Sequence, residues 1–204
     1  MKFLTLSALF LGLANASLYA APIIEHIAPN SAKACPTDNK DCRTAKQAAP
    51  YIAKGMYRYG VYSVKEIAAV ISLMAFESGD FRYKRNMFPG RPGQGTANMQ
   101  MANYNLLYAK CIPGVKEHFE GVDSVDGMSD DEKNDLLDMV TVDKYNFASG
   151  PWFLTTQCDP SVRTALDDDI DTGFAAYMKC IDVEVTDDRL AYFKRAKEAF
   201  GLTS

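Results

Sequence analysis

The chain has 204 residues, of which 48% are hydrophobic, 24% charged and 11% aromatic, the balance of a folded globular domain. A formal charge of −4 removes the basic footprint that nucleic acids and anionic membrane surfaces require. Only two histidines are present, His26 and His118, so a three-histidine zinc site is excluded and a Ser-His-Asp triad would rest on His118 alone.

Lys2, the apolar run Phe3 to Leu13 and the small residues of Ala14-Asn15-Ala16 and Tyr19-Ala20-Ala21 read as a cleaved secretory signal over residues 1–20. The mature chain is therefore expected outside the cell. The run is too short to span a bilayer and no later stretch nears the roughly 18 uncharged apolar residues a span needs, so no membrane partner is expected. Residues 21–43 carry Pro22, Pro29 and Pro36 and read as an irregular arm pinned by cysteines, ahead of one domain over 44–204.

The five cysteines, Cys35, Cys42, Cys111, Cys158 and Cys180, all follow the signal, and an oxidising compartment makes disulfides the expectation. The favoured pairing is Cys35 with Cys42, closing a short polar loop, and Cys158 with Cys180, stapling two helical segments. Cys111 is then free and buried. No CxxC pair suggests zinc, and neither a metal nor a cofactor is expected.

Helical signals dominate from Pro50 onward. A short helix runs from about Pro50 to Tyr59 and ends at Gly60. Ser63-Val64-Lys65-Glu66 is a capping box opening a helix that reaches Gly79. Met87 to Gln100 holds Pro89, Gly90, Pro92, Gly93 and Gly95 and reads as a loop with a short hairpin. Asn103 opens a helix over Tyr104–Lys110, and Ser129-Asp130-Asp131-Glu132 is a second capping box, leading into Leu136, Leu137, Met139 and Val140. Trp152 to Thr156 reads as extended. Asp159-Pro160 opens another helix, with Pro at its first position. The last runs over about 187–200, with Leu190, Phe193 and Phe200 on one face and Gly201 closing it. The expected fold is mainly α with a small β element.

Between Glu66 and Glu77 lie ten uncharged residues, apolar nearly all round, so this helix is central and buried. At about 100° per residue Glu77 projects beside Leu73, Met74 and Val70. A carboxyl at the end of an apolar sector has its charged form disfavoured, which keeps an acid protonated for use as a proton donor. The helix alone leaves open a Glu77 that faces solvent in a fraying last turn or pairs with Arg82 or Lys84.

Phe76-Glu77-Ser78-Gly79, followed by Gly93-Gln94-Gly95-Thr96-Ala97-Asn98-Met99-Gln100 and Asn103-Tyr104, resembles the lysozyme-like superfamily, closest to goose-type lysozymes and lytic transglycosylases, with plant-type chitinases similar. The family's Gly-Leu-Met-Gln run is departed from, since Asn98 stands where an apolar residue is common. Ser149 to Phe153 resembles a segment of secreted fungal proteins. The resemblance implies a lysozyme-like fold with a glycine-rich hairpin lining a cleft and Glu77 as general acid. Ser78 would tie the helix to the hairpin, and Gly95, Asn98 and Gln100 would line the cleft. It further implies a monomeric enzyme cleaving a polymer that contains N-acetylglucosamine, peptidoglycan or chitin oligomers. An inactive glycan-binding or protein-interaction module on the same fold is the alternative.

Tyr145, Phe147, Trp152 and Phe153 concentrate aromatic surface, and Trp152 and Tyr104 are candidates to stack on sugar rings. Asp80 is a candidate second carboxylate, against the plainer reading of a turn aspartate. Asp167 to Asp171 fails the EF-hand spacing and reads as a solvated acidic turn.

Overall fold

The computed structural model describes residues 20–203; the expected signal, save Ala20, lies outside them. Ten α-helices order the described residues: α1 (20–27), α2 (Ala45–Arg58), α3 (Val64–Glu77), α4 (Ala102–Lys110), α5 (Asp130–Val140), α6 (Asp143–Asn146), α7 (Ser149–Thr156), α8 (Pro160–Asp168), α9 (Ile170–Cys180) and α10 (Asp187–Ala199).

The axis of this fold is α3. Every residue from Ala68 to Ala75 is buried, as the uncharged run requires. Helices α10 and α7 pack against it, and α2 packs beside α6 and α7. Gly150 in α7 lets that helix press on α3, since a Cβ there would stand 2.7 Å from the Met74 sulfur.

Several expectations change. The arm over 21–43 is helical at its start, over 21–27, and Ile24, Ile27 and Ala28 bury against the core. A 3-10 turn follows over Pro29–Ala32, and beyond it the arm is irregular and closed by the Cys35–Cys42 disulfide. Helix α2 starts five residues early because Thr44 and Gln47 form a capping box, and its buried face of Ala45, Ala48, Ala49 and Ile52 holds Pro50 inside the helix. At α3, Ser63 occupies the cap position but makes no side-chain cap; the Glu66 side chain is drawn away into a buried fork with Arg163. The Ser129 box at α5 and the Asp159 cap at α8 form as expected.

Residues 152–156 are helical, within α7, not extended. Pro151 lies in the first turn, and buried apolar residues on several sides replace the alternation a strand would need. Leu190 is exposed at 41%, whereas Phe193 and Ala196 carry the buried face of α10. The glycine-rich hairpin does not form: the described residues contain no strand, only isolated bridges from Gly95 to Arg85 and to Gln100. Pro89 and Pro92 remove ladder donors, and Asn86 Oδ1 accepts the backbone N–H groups of Gly90 and Arg91 instead. Cys158–Cys180 forms as expected, but Cys111, free as expected, is exposed at the end of α4, not buried.

Candidate functional site

Helix α3 ends in an unusual turn. Gly79, Asp80 and Phe81 are consecutive left-handed residues, with φ of 56°, 61° and 63°. For Asp and Phe this costs on the order of 1–3 kcal/mol each and persists only where the surroundings over-determine it. They do. Asp80 is 1% exposed and accepts from the Asn30 backbone N–H at 2.8 Å and the Tyr192 hydroxyl at 2.7 Å. Phe81 is buried against Phe147, and its N–H donates to Ser78 Oγ, which itself donates to the Met74 carbonyl. Asp80 is thus committed to the turn, and Ser78 ties the helix end to that turn and not to any hairpin.

The turn holds Glu77 at the wall of a cleft of about 490 Å³. Its Oε1 accepts from Arg189 Nη2 of α10 at 2.7 Å; the two side chains are 19% and 15% exposed. Glu77 is therefore paired, but with a residue 112 positions away and not with Arg82 or Lys84. The Arg189 guanidinium lies 4.5 Å over the Phe76 ring, which fixes its plane. Burial pushes the Glu77 carboxyl above its ordinary pKa, against the pull of Arg189.

Across the cleft the segment 93–100 is held by Asn105, a fully buried side chain in α4. Asn105 Nδ2 donates to the carbonyls of Gly93 at 2.7 Å and Gln100 at 3.3 Å, and its Oδ1 accepts from Gln100 Nε2 at 2.9 Å. Because carbonyls require a donor, this network fixes which way both amides face. Gln94 Nε2 is likewise spent on the Met99 carbonyl. The remaining amide oxygens, Gln94 Oε1, Asn98 Oδ1 and Gln100 Oε1, are buried without a partner, as is Arg189 Nε. All four residues line this cleft. An unmet buried polar group costs about 1–3 kcal/mol, so three acceptors and one donor without partners, all on residues that line one cleft, make it the candidate site for a polar ligand. Thr96 and Met99 in the same segment also take positive φ, at 68° and 47°.

Tyr104 lines the cleft and packs on Phe153 at 4.7 Å, with Met99 and Met101 beside them as an apolar wall. Trp152 does not take part: it is 1% exposed and packs on Tyr108 at 4.8 Å in the core. Its neighbour Phe153, about 100° further round the helix, reaches the cleft instead. Gly95 is also structural, since a Cβ there would stand 2.2 Å from the Lys84 carbonyl oxygen. Asn98, Gln100, Tyr104 and Glu77 all line this one cleft. Arg189, Asn105 and Gln94 were not foreseen; of these only Asn105 leaves a local sign, a poor helix former inside a short helix.

No family model and no solved structure matches the chain. A bifunctional dioxygenase (DOX)-epoxy alcohol synthase (EAS) of Fusarium oxysporum (strain Fo5176) is 62% identical to it over 157 residues, a stretch that takes in 76% of this chain and 12% of the relative. The chain thus matches about an eighth of that protein's length. This finding overturns the lysozyme-like resemblance, since the relative is named for oxygen chemistry. With the resemblance go the glycoside-cleaving activity, the peptidoglycan or chitin partner and the glycan-binding module on that fold. The motif residues are real neighbours in space, but a Glu-Ser pair and a glycine-rich segment are too short to carry a family.

Proposed function

We propose that the chain is a ligand-binding unit of an oxygenating enzyme of the dioxygenase and epoxy alcohol synthase type, and that its cleft holds a small hydroxyl-bearing molecule of the kind an epoxy alcohol represents. The observation that carries this reading is the set of three buried, unpartnered amide oxygens at Gln94, Asn98 and Gln100. Acceptors alone select a ligand that brings donors, and hydroxyl groups supply them. Glu77, with its carboxyl displaced toward the protonated form, is the acid that donates to a ligand oxygen. The apolar wall of Tyr104 and Phe153 covers the hydrocarbon part.

Oxygen activation itself calls for a redox centre, and the described residues offer no metal site built from three side-chain ligands. Among the described residues no three His, Cys, Asp or Glu side chains gather, and His26 lies at the surface beside Glu198. Two disulfides suit work in an oxidising compartment, outside the cell.

Calorimetric titration with 2,3-epoxyoctan-1-ol, and with octyl epoxide lacking the hydroxyl, tests the reading. The epoxy alcohol is expected to bind more tightly, and Asn98→Leu to weaken it about fivefold, the worth of one neutral hydrogen bond. Equal affinity for both compounds would refute it.

A further inference from the structure

A second hollow, of about 320 Å³, opens where α1, α2, the turn 60–63 and the first half of α3 meet. Its floor includes Ile24, Ile52, Met56 and Ile71, its rim Tyr57 and Tyr62, and no charged side chain lines it. The rim tyrosines are 68% and 66% exposed, yet they are ordered: their rings stand 6.1 Å apart and the Tyr62 hydroxyl donates to the Tyr57 carbonyl at 3.3 Å. Val64, also exposed, shares a face of α3 with Ile67 and Ile71 and carries the apolar surface outward. Large apolar side chains gathered openly around an uncharged hollow mark a contact surface.

Charge decides between partners. Residues 42–65 hold Arg43, Lys46, Lys54, Arg58 and Lys65 and no acid at all. Arg43 is spent on Asp143, and Arg58 leans over the Tyr59 ring at 5.6 Å. Ser63 and Lys65 gather Asp167, so that edge is balanced. Glu66, the next acid in the chain, is buried in the Arg163 fork. Lys46 and Lys54 are exposed and join no ion pair among the described residues. At about 100° per residue Lys46, Ala53 and Tyr57 fall on one stripe of α2, with Lys54 about 60° beside it, so both ammonium groups flank the hollow.

We propose that this face docks on an anionic phospholipid bilayer, with Tyr57, Tyr62 and Val64 entering the headgroup layer and Lys46 and Lys54 reaching lipid phosphates. Tyrosine rings, apolar with one polar tip, settle at headgroup level, and lysine stems lie along apolar surface while their charge stays in water. No described helix is long and apolar enough to cross a bilayer, and the proposed contact is peripheral, built from apolar burial plus attraction to anionic lipid. The net charge of −4 does not oppose it, because salt screens charges lying more than about 10 Å from the surface, and the acids of the chain lie outside the 42–65 segment that forms the basic edge. A second copy of the chain is the poorer occupant. A two-fold axis through the hollow would bring the lysines of both copies together with no acid on either face to answer them.

The test is flotation of the chain lacking residues 1–19, so that their apolar run contributes nothing, with vesicles of phosphatidylcholine alone or with about 30% phosphatidylserine, in about 0.1 M salt. The anionic vesicles are expected to bind it roughly 10-fold or more tighter than the neutral ones. Lys46→Gln/Lys54→Gln should remove that preference, at roughly fivefold for each lysine. Tyr57→Ser/Tyr62→Ser should weaken binding to both lipids. In a Tyr62→Trp variant the new indole should shift to the blue on anionic vesicles and be quenched by brominated lipid, while Trp152, buried in the core, stays silent in the wild type. No flotation with anionic vesicles overturns the proposal, as does flotation that both double variants leave unchanged. Sedimentation as a dimer that Tyr57→Ser/Tyr62→Ser dissolves would make the face a contact between copies and overturn it as well.

Discussion

Replacing Arg189 by Met removes the counter-charge of Glu77 while keeping much of the side chain's length. The pair is mostly buried, at 19% and 15% exposure, so the 2.7 Å charge-assisted bond is worth about 1.5–3 kcal/mol and pulls against the burial that raises Glu77. The sign follows from proton binding. Glu77 is raised in the folded state, so between its unfolded value of about 4.3 and its folded value the folded chain holds a proton that the unfolded chain has lost. Stability contributed by this group is full below that window and falls as pH climbs through it. Arg189 limits the fall, and Arg189→Met extends it to higher pH. Loss of the guanidinium over Phe76 adds roughly 1 kcal/mol that does not depend on pH. Urea unfolding of the wild type, Arg189→Met and the double variant Glu77→Gln/Arg189→Met at about pH 4 and about pH 7.5 separates the two parts. The single variant should lose about 2.5–4 kcal/mol at the higher pH and about 1 kcal/mol at the lower, and the double variant about 1 kcal/mol at both. An equal loss at both pH values in the single variant would show that Glu77 is not a buried acid under the control of Arg189.

Two further outcomes probe the scaffold. Gly173→Ala should destabilise by about 3 kcal/mol or more, although helix propensity alone favours Ala by about 1 kcal/mol, because the new Cβ would stand 2.3 Å from the Leu166 backbone; a thermal scan showing a stabilised variant would contradict the α8–α9 packing. In the native protein one thiol per chain, Cys111, should react with a maleimide without denaturant, while Cys35, Cys42, Cys158 and Cys180 stay protected as disulfides; labelling at two or more positions, or none, would refute this.

The sequence by itself determined the elements whose causes are local. The uncharged run before Glu77 could only be a buried helix, and α3 is one. Ser129 with Glu132, and Asp159 with Pro160, set helix starts through bonds spanning two or three residues, which any tertiary setting leaves intact. The two disulfides also form as spacing and compartment suggested. What tertiary structure alone decided were contests between a local option and a distant one. Glu66 had a capping box within reach, yet Arg163, 97 residues on, offers a charge-assisted fork in a buried place, and the stronger bond wins. Trp152 and Phe153 are equally aromatic; the direction of α7 against α3 chose which one meets the cleft. Glu77 was legible as a buried acid, but its partner Arg189 was not, because no periodicity links residues 112 positions apart. The cleft's chemistry was hidden for the same reason: Gln100 Nε2 meets Asn105 and Gln94 Nε2 meets the Met99 carbonyl only after the segment 93–100 has folded against α4, which leaves both amide oxygens without a partner.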